Sequence, residues 1–120
     1  MEGIDGPTAG NRLSITQTCS EGISVVRVCG EIDRDSAPQL LEAVAPQDAA
    51  AHRTVLDLSG VTFMDSSGIN ALITAHRAAQ SADGWLRLAA PSVSVSRLIE
   101  IVGLDEVIGC HPTVGDALRL

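Results

Sequence analysis

From Ile23 onward the sequence switches repeatedly between two hydrophobic rhythms, and that alternation restricts the fold more than any other feature. Short β-type runs at 23–28, 55–58 and 85–89 are each followed by a stretch with apolar residues at helical spacing. A chain that repeats strand and helix in this way builds a sheet covered by helices. Crossovers through 36–46 and 66–82 should be right-handed and leave the later strands parallel. The expectation is one α/β domain with a mixed, mostly parallel sheet of about four or five strands, an N-terminal hairpin and about four helices.

Punctuation residues place the elements. Residues 13–18 alternate apolar and polar and suit an outer strand, and Glu21-Gly22 turns it back into 23–28. Gly30-Glu31-Ile32-Asp33 is expected to leave the sheet. Ser36 can cap a helix with Pro38 in its first turn and Gln39 reaching back, while Leu40, Leu41 and Val44 form its buried stripe. That helix should stop near Pro46. A Ser59-Gly60 turn follows the 55–58 strand, and a helix from Ser66 to about residue 82 buries Ile69, Leu72, Ile73 and Ala79. Pro91-Ser92 opens a third helix with Val95, Leu98, Ile99 and Val102 on one face, and Gly103 is its left-handed stop. Residues 106–108 are expected as a last short strand, and Thr113 as the cap of a helix over 114–120. Residues 1–11, with Gly3, Gly6, Pro7 and Gly10, are expected as a flexible leader before a single domain over 12–120.

Composition removes several classes of function. The 120 residues suit one domain, and with one Trp, one Phe and no Tyr the core must be aliphatic. The basic residues are all arginine, 8 against 15 acids, for a formal charge of −7. Such a chain repels nucleic-acid phosphates and anionic membranes. No run approaches the roughly 18 apolar residues of a membrane span, and the N-terminus lacks the order of a secretory signal. A cytoplasmic protein is expected.

Cys19, Cys29 and Cys110 are odd in number and lack CxxC spacing, so they are expected as buried reduced thiols. His52 and His111 fall in loops without an acid at ligand spacing, and His76 falls on the apolar side of its helix. No metal, cofactor or catalytic residue is therefore expected. A hydrolase using Ser66 or Ser67 would need a nucleophile elbow and a partnering histidine, and neither surrounds these serines.

Gly30-Glu31-Ile32-Asp33 and Met64-Asp65-Ser66-Ser67-Gly68-Ile69, each after a strand and before a helix, resemble the two signatures of STAS-domain anti-sigma factor antagonists. The resemblance runs from about Leu13 to Leu120. It implies a protein whose unmodified form binds an anti-sigma factor that is also an ATP-dependent serine kinase, releasing a sigma factor. Phosphorylation then ends the binding, and a metal-dependent serine phosphatase restores it. By motif position the phosphoacceptor is Ser66, and Asp33 stands where the family has an acid important for phosphorylation and partner contact. The chain is expected as a monomer or weak dimer. Its Arg34-Asp35 pair and its lack of lysine depart from the family pattern.

The residues themselves are compatible with this. A helix N-terminus carries unpaired N–H groups and accepts an anion, so a phosphate on Ser66 should not unfold the domain. Ser66, Asn70, Thr74 and Arg77 follow one polar helix stripe, and with Asp33, Asp65, Ser67 and Gly68 they form the expected docking face. Asp65 and Ser66 also make sense simply as helix caps, and Asp33 as a turn residue. A STAS subunit of another assembly, such as a lipid-transport complex, would use the same surface as a docking module without phosphorylation. The full Asp65-Ser66-Ser67-Gly68 sequence favours the switched protein.

Overall fold

A computed structural model describes residues 13–45 and 53–119. The elements follow in the order β1 (Leu13–Ser20), β2 (Ile23–Ile32), α1 (Ala37–Val44), β3 (Arg53–Met64), α2 (Ser66–Ser81), β4 (Trp85–Ala89), α3 (Val93–Val102), β5 (Gly109–His111) and α4 (Val114–Ala117). The expected leader lies outside the described residues.

The five strands form one sheet in the order β1-β2-β3-β4-β5. β1 and β2 are an antiparallel hairpin, and β2 to β5 are parallel. The hairpin closes over two residues with positive φ, Glu21 at 52° and Gly22 at 82°, whose twist matches that of the flanking strands. Because each parallel strand is added beside its predecessor, right-handed crossovers carry α1, α2 and α3 to one face. Their buried residues join Val26, Val28, Leu56, Leu58, Leu86 and Leu88 in the larger core. The opposite face carries a small cluster of Ile23, Val55, Ala89 and Ala117, roofed by α4.

Two expected breaks are continuous strand. Gly30 to Ile32 do not leave the sheet: they pair with Val61, Phe63 and Met64. Ser59-Gly60 is no turn either, because β3 runs on to Met64 and absorbs extra residues as bulges between Asp57 and Gly60 and between Val61 and Phe63. A Cβ on Gly60 would stand 2.4 Å from Cys29 Sγ and 3.1 Å from its Cα. The glycine therefore marks a close approach of two strands.

Smaller differences have local causes. Leu104–Glu106 is a 3-10 turn, so the last strand begins at Gly109 instead of residue 106. Gly103 does stop α3 in the left-handed region, at φ 75°. Val102 is half exposed: α3 buries Val95 and Ile99 and packs Leu98 against the core, but leaves its last residue open. Cys19 is exposed at the end of β1, against the expectation of burial. Cys29 and Cys110 are half-buried, and burial, with a smaller contribution from the Asp105 carboxylate, raises the Cys110 thiol pKa. His76 sits half-buried on α2, and its Nδ1 has no hydrogen-bond partner among the described residues.

Candidate functional site

The site residues converge because β2 and β3 are parallel neighbours that end level with one another. Ile32 pairs with Met64, and the Asp65 amide donates to the Ile32 carbonyl at 3.2 Å. The loops that follow, one bearing Asp33 and the other Asp65, thus emerge at the same edge of the sheet. Carboxyl ends of parallel strands are where open α/β folds place their functional groups.

Asp65 is the N-cap of α2. Its Oδ1 accepts from the Ser67 amide at 2.9 Å and the Gly68 amide at 3.3 Å, satisfying two of the N–H groups that a helix start leaves open. Ser66 is the first helical residue and is exposed, and its hydroxyl has no hydrogen-bond partner among the described residues. Ser67 is half-buried. Gly68 is buried against the strand ends: a Cβ there would meet Met64 Cγ at 2.4 Å and Ile32 Cγ2 at 2.9 Å. The absent side chain lets α2 start directly above β2 and β3, which fixes the height of Ser66 over the sheet edge.

Asp33 holds its loop in the same manner. Its Oδ1 accepts from the amides of Asp35 and Ser36, both at 3.0 Å, and its carbonyl accepts from the Ala37 amide at 2.8 Å. The expected Ser36 cap is absent, because that hydroxyl points back into the loop. It donates to the Glu31 carbonyl at 2.8 Å and accepts from the Asp33 amide at 2.9 Å. Gln39 likewise reaches the Leu13 carbonyl at 3.3 Å instead of folding back on its own helix start. Ser36 is a buried bolt, and Asp33 organises the turn that leads into α1.

Asn70, Thr74 and Arg77 are exposed on α2 with Ser66, so the polar stripe faces solvent as a continuous band. Sequence reasoning missed Phe63, which is 48% exposed near the end of β3. It shares a cleft of about 210 Å³ with Thr62, Met64, Ser94, Val95 and Leu98. Phe63 sits inside an apolar run, so nothing in the sequence distinguishes it from a core residue. Among the described residues there is no group of three or more His, Cys, Asp or Glu side chains able to hold a metal, and no helix long and apolar enough to cross a membrane. Chemically the edge offers an accessible hydroxyl at a helix start whose Ser67 and Gly68 amides Asp65 already caps, together with carboxylates from Glu31, Asp33, Asp35 and Asp65.

The chain is similar to proteins of a known family. Residues 14–117 match the STAS domain. The anti-sigma-B factor antagonist of Staphylococcus aureus (strain NCTC 8325 / PS 47) is 30% identical over 97 residues, spanning 80% of this chain and 90% of that protein. The crystal structure of an anti-sigma factor antagonist from Mycobacterium paratuberculosis superposes with a TM-score of 0.77 at 30% identity, covering 93% of this chain and 96% of that one. The anti-sigma factor antagonist SpoIIAA in its unphosphorylated form has the same fold, with a TM-score of 0.70 at 20% identity over 88% of this chain and 93% of that one. The chain belongs to the STAS domain family, in the company of the anti-sigma factor antagonists.

Proposed function

We propose that this chain is an anti-sigma factor antagonist whose binding is switched off by phosphorylation of Ser66. The observation that carries the reading is the exposed Ser66 hydroxyl, without a hydrogen-bond partner among the described residues, at the first residue of α2 and on the same sheet edge as Asp33. The unmodified protein docks on a cytoplasmic anti-sigma factor through Ser66, Ser67, Asn70 and Thr74, with the Asp33 and Asp65 loops and Gly68 shaping the start of that surface. The anti-sigma factor is itself a serine kinase, and its release of a sigma factor is the output.

The switch follows from charge. The Ser66 oxygen attacks the γ-phosphorus of ATP, the bond to the β-phosphate oxygen breaks, ADP leaves, and the hydroxyl proton passes to a base of the kinase. The product carries about −1.5 to −2 charges at pH 7 where a neutral hydroxyl stood. An interface fitted to the hydroxyl must then desolvate a dianion. A hundredfold loss of affinity needs about 2.7 kcal/mol, which the desolvation of such a charge supplies. The fold survives because the α2 N-terminus accommodates an anion. A serine phosphatase resets the protein. In this reading the chain is a binding module and does no chemistry of its own.

The test is a pull-down from source cytosol with wild type and Ser66→Asp side by side, followed by incubation of the captured kinase with ATP and mass-spectrometric mapping. A kinase retained by wild type, bound about a hundredfold more weakly by Ser66→Asp, and transferring phosphate to Ser66 is the expected result. Phosphate on Ser67, or equal affinity for Ser66→Asp, overturns the proposal. Asp33→Ala should slow phosphorylation or weaken docking while the chain stays folded, which stopped-flow binding and circular dichroism read separately.

A further inference from the structure

We propose that Arg34 is the intramolecular ligand of the phosphate on Ser66, so that the phosphorylated chain clamps its own modified serine between the start of α2 and a guanidinium from the neighbouring loop. This rests on the reading of Ser66 as phosphoacceptor. The first support is that the two loops are built alike. Asp33 accepts from the amides two and three residues on, Asp35 and Ser36, and Asp65 accepts from those of Ser67 and Gly68. In both, the acid's carbonyl accepts from the amide four residues on, Ala37 in one and Ile69 in the other. Arg34 and Ser66 therefore occupy the same position, one residue after the acid, and both are exposed.

The second support is adjacency. The strands that lead into the loops are paired in register at Ile32 and Met64, and the Asp65 amide is bonded to the Ile32 carbonyl. Neighbouring strands lie about 4.8 Å apart and packed helices about 8–10 Å apart. Equivalent positions at the mouths of α1 and α2 are thus within the span of an arginine side chain.

The third support is that Arg34 is uncommitted. It is the basic residue of these two loops, set among the carboxylates of Glu31, Asp33, Asp35 and Asp65, yet it makes no ion pair among the described residues. The Asp33 and Asp65 carboxylates are turned onto backbone amides. A dianion added at Ser66 raises the negative charge of an already acidic rim, and Arg34 is the group placed to offset it. Its planar fork matches two phosphate oxygens at once, which a lysine ammonium does not. Clamping would order the phosphate and hold the protein in its non-binding form.

The experiment uses the full chain with phosphoserine inserted at 66 during translation, so no kinase is required, and follows the phosphate by phosphorus NMR across pH. A positive neighbour favours the doubly ionised phosphate. Its second ionisation should therefore fall about half a pH unit or more lower in the parent chain than in Arg34→Gln, with Arg34→Lys between them. Arg77→Gln, which removes the same charge further along α2, should leave the curve in place. Coincident curves for the parent and Arg34→Gln, or an equal shift from Arg77→Gln, overturn the clamp. Failure of a kinase to modify Ser66 sinks the switch itself, and this titration would not detect that failure.

Discussion

The loops at the ends of β2 and β3 share one hydrogen-bonding plan and use it for opposite purposes. Each has an aspartate whose Oδ1 gathers the amides two and three residues on, in the turn before α1 in one loop and in the first turn of α2 in the other. Three residues after the aspartate, the Asp33 loop has Ser36, 2% exposed, and the Asp65 loop has buried Gly68. One residue after it stand Arg34 and Ser66, both exposed. Ser36 and Ser66 thus stand at different depths in the two loops, and depth separates their chemistry. The Ser36 hydroxyl is consumed by the Glu31 carbonyl and the Asp33 amide, whereas that of Ser66 faces solvent. A shared capping scaffold supplies one inward position for stability and one outward position that is open to a partner.

Perturbing the inward positions breaks this comparison most strongly. Gly68→Ala places a methyl 2.4 Å from Met64 Cγ and 2.9 Å from Ile32 Cγ2, so α2 must lift or Met64 must move. Overpacking of this kind costs up to about 3 kcal/mol. Chemical denaturation should show that loss, and NMR shifts should spread from Gly68 into Ile32 and Met64. A change confined to Gly68 itself would mean that the helix start is not pinned by this contact. Ser36→Ala should come next, at about 1–2 kcal/mol, since it deletes a buried hydroxyl bonded to two backbone groups. Thermal melts of Ser36→Ala and Ser36→Thr separate the lost hydrogen bonds from lost volume, because threonine keeps the hydroxyl. An unchanged melting point for Ser36→Ala would make Ser36 no more structural than Ser66.

What the sequence disclosed follows from what each signal depends on. Apolar periodicity and capping residues are local, so β4, the span of α2, its Asp65 cap and the Gly103 stop are legible from Asp65, Trp85–Ala89, Gly103 and their neighbours. Gly30 to Ile32 and Ser59-Gly60 misled because glycine and serine signal turns in isolation. Here the parallel pairing of β2 with β3 keeps both strands extended, with bulges absorbing the mismatch. Ser36 read as a cap because serine before a helix is favoured there. Its real role needs the Glu31 carbonyl, which only the continued strand brings within reach. The exposure of Phe63 and the likeness of the two loops depend on register between β2 and β3, and no local pattern encodes that.

The smallest stability effects belong to the outward serine and its neighbour, and they test the comparison most finely. Ser66→Ala removes a hydroxyl with no partner among the described residues from an exposed helical position, where alanine is the better helix former. Its unfolding free energy should stay within about 0.5 kcal/mol of the parent chain, as for other surface substitutions away from special contacts. Ser67→Ala should be nearly as mild, because the Ser67 contact to Asp65 uses its backbone amide, which alanine retains. The two variants should part company only when the kinase is present: Ser67→Ala still takes up phosphate, and Ser66→Ala binds the kinase but resists modification. Paired denaturation curves and intact-mass spectra measure both properties on the same samples. If Ser66→Ala loses 1 kcal/mol or more, its hydroxyl is as structural as that of Ser36, and depth does not separate the two serines. If the fold holds but Ser67→Ala is the variant that resists phosphate, the outward position is one residue further into α2, and the equivalence of Arg34 with the phosphoacceptor fails with it.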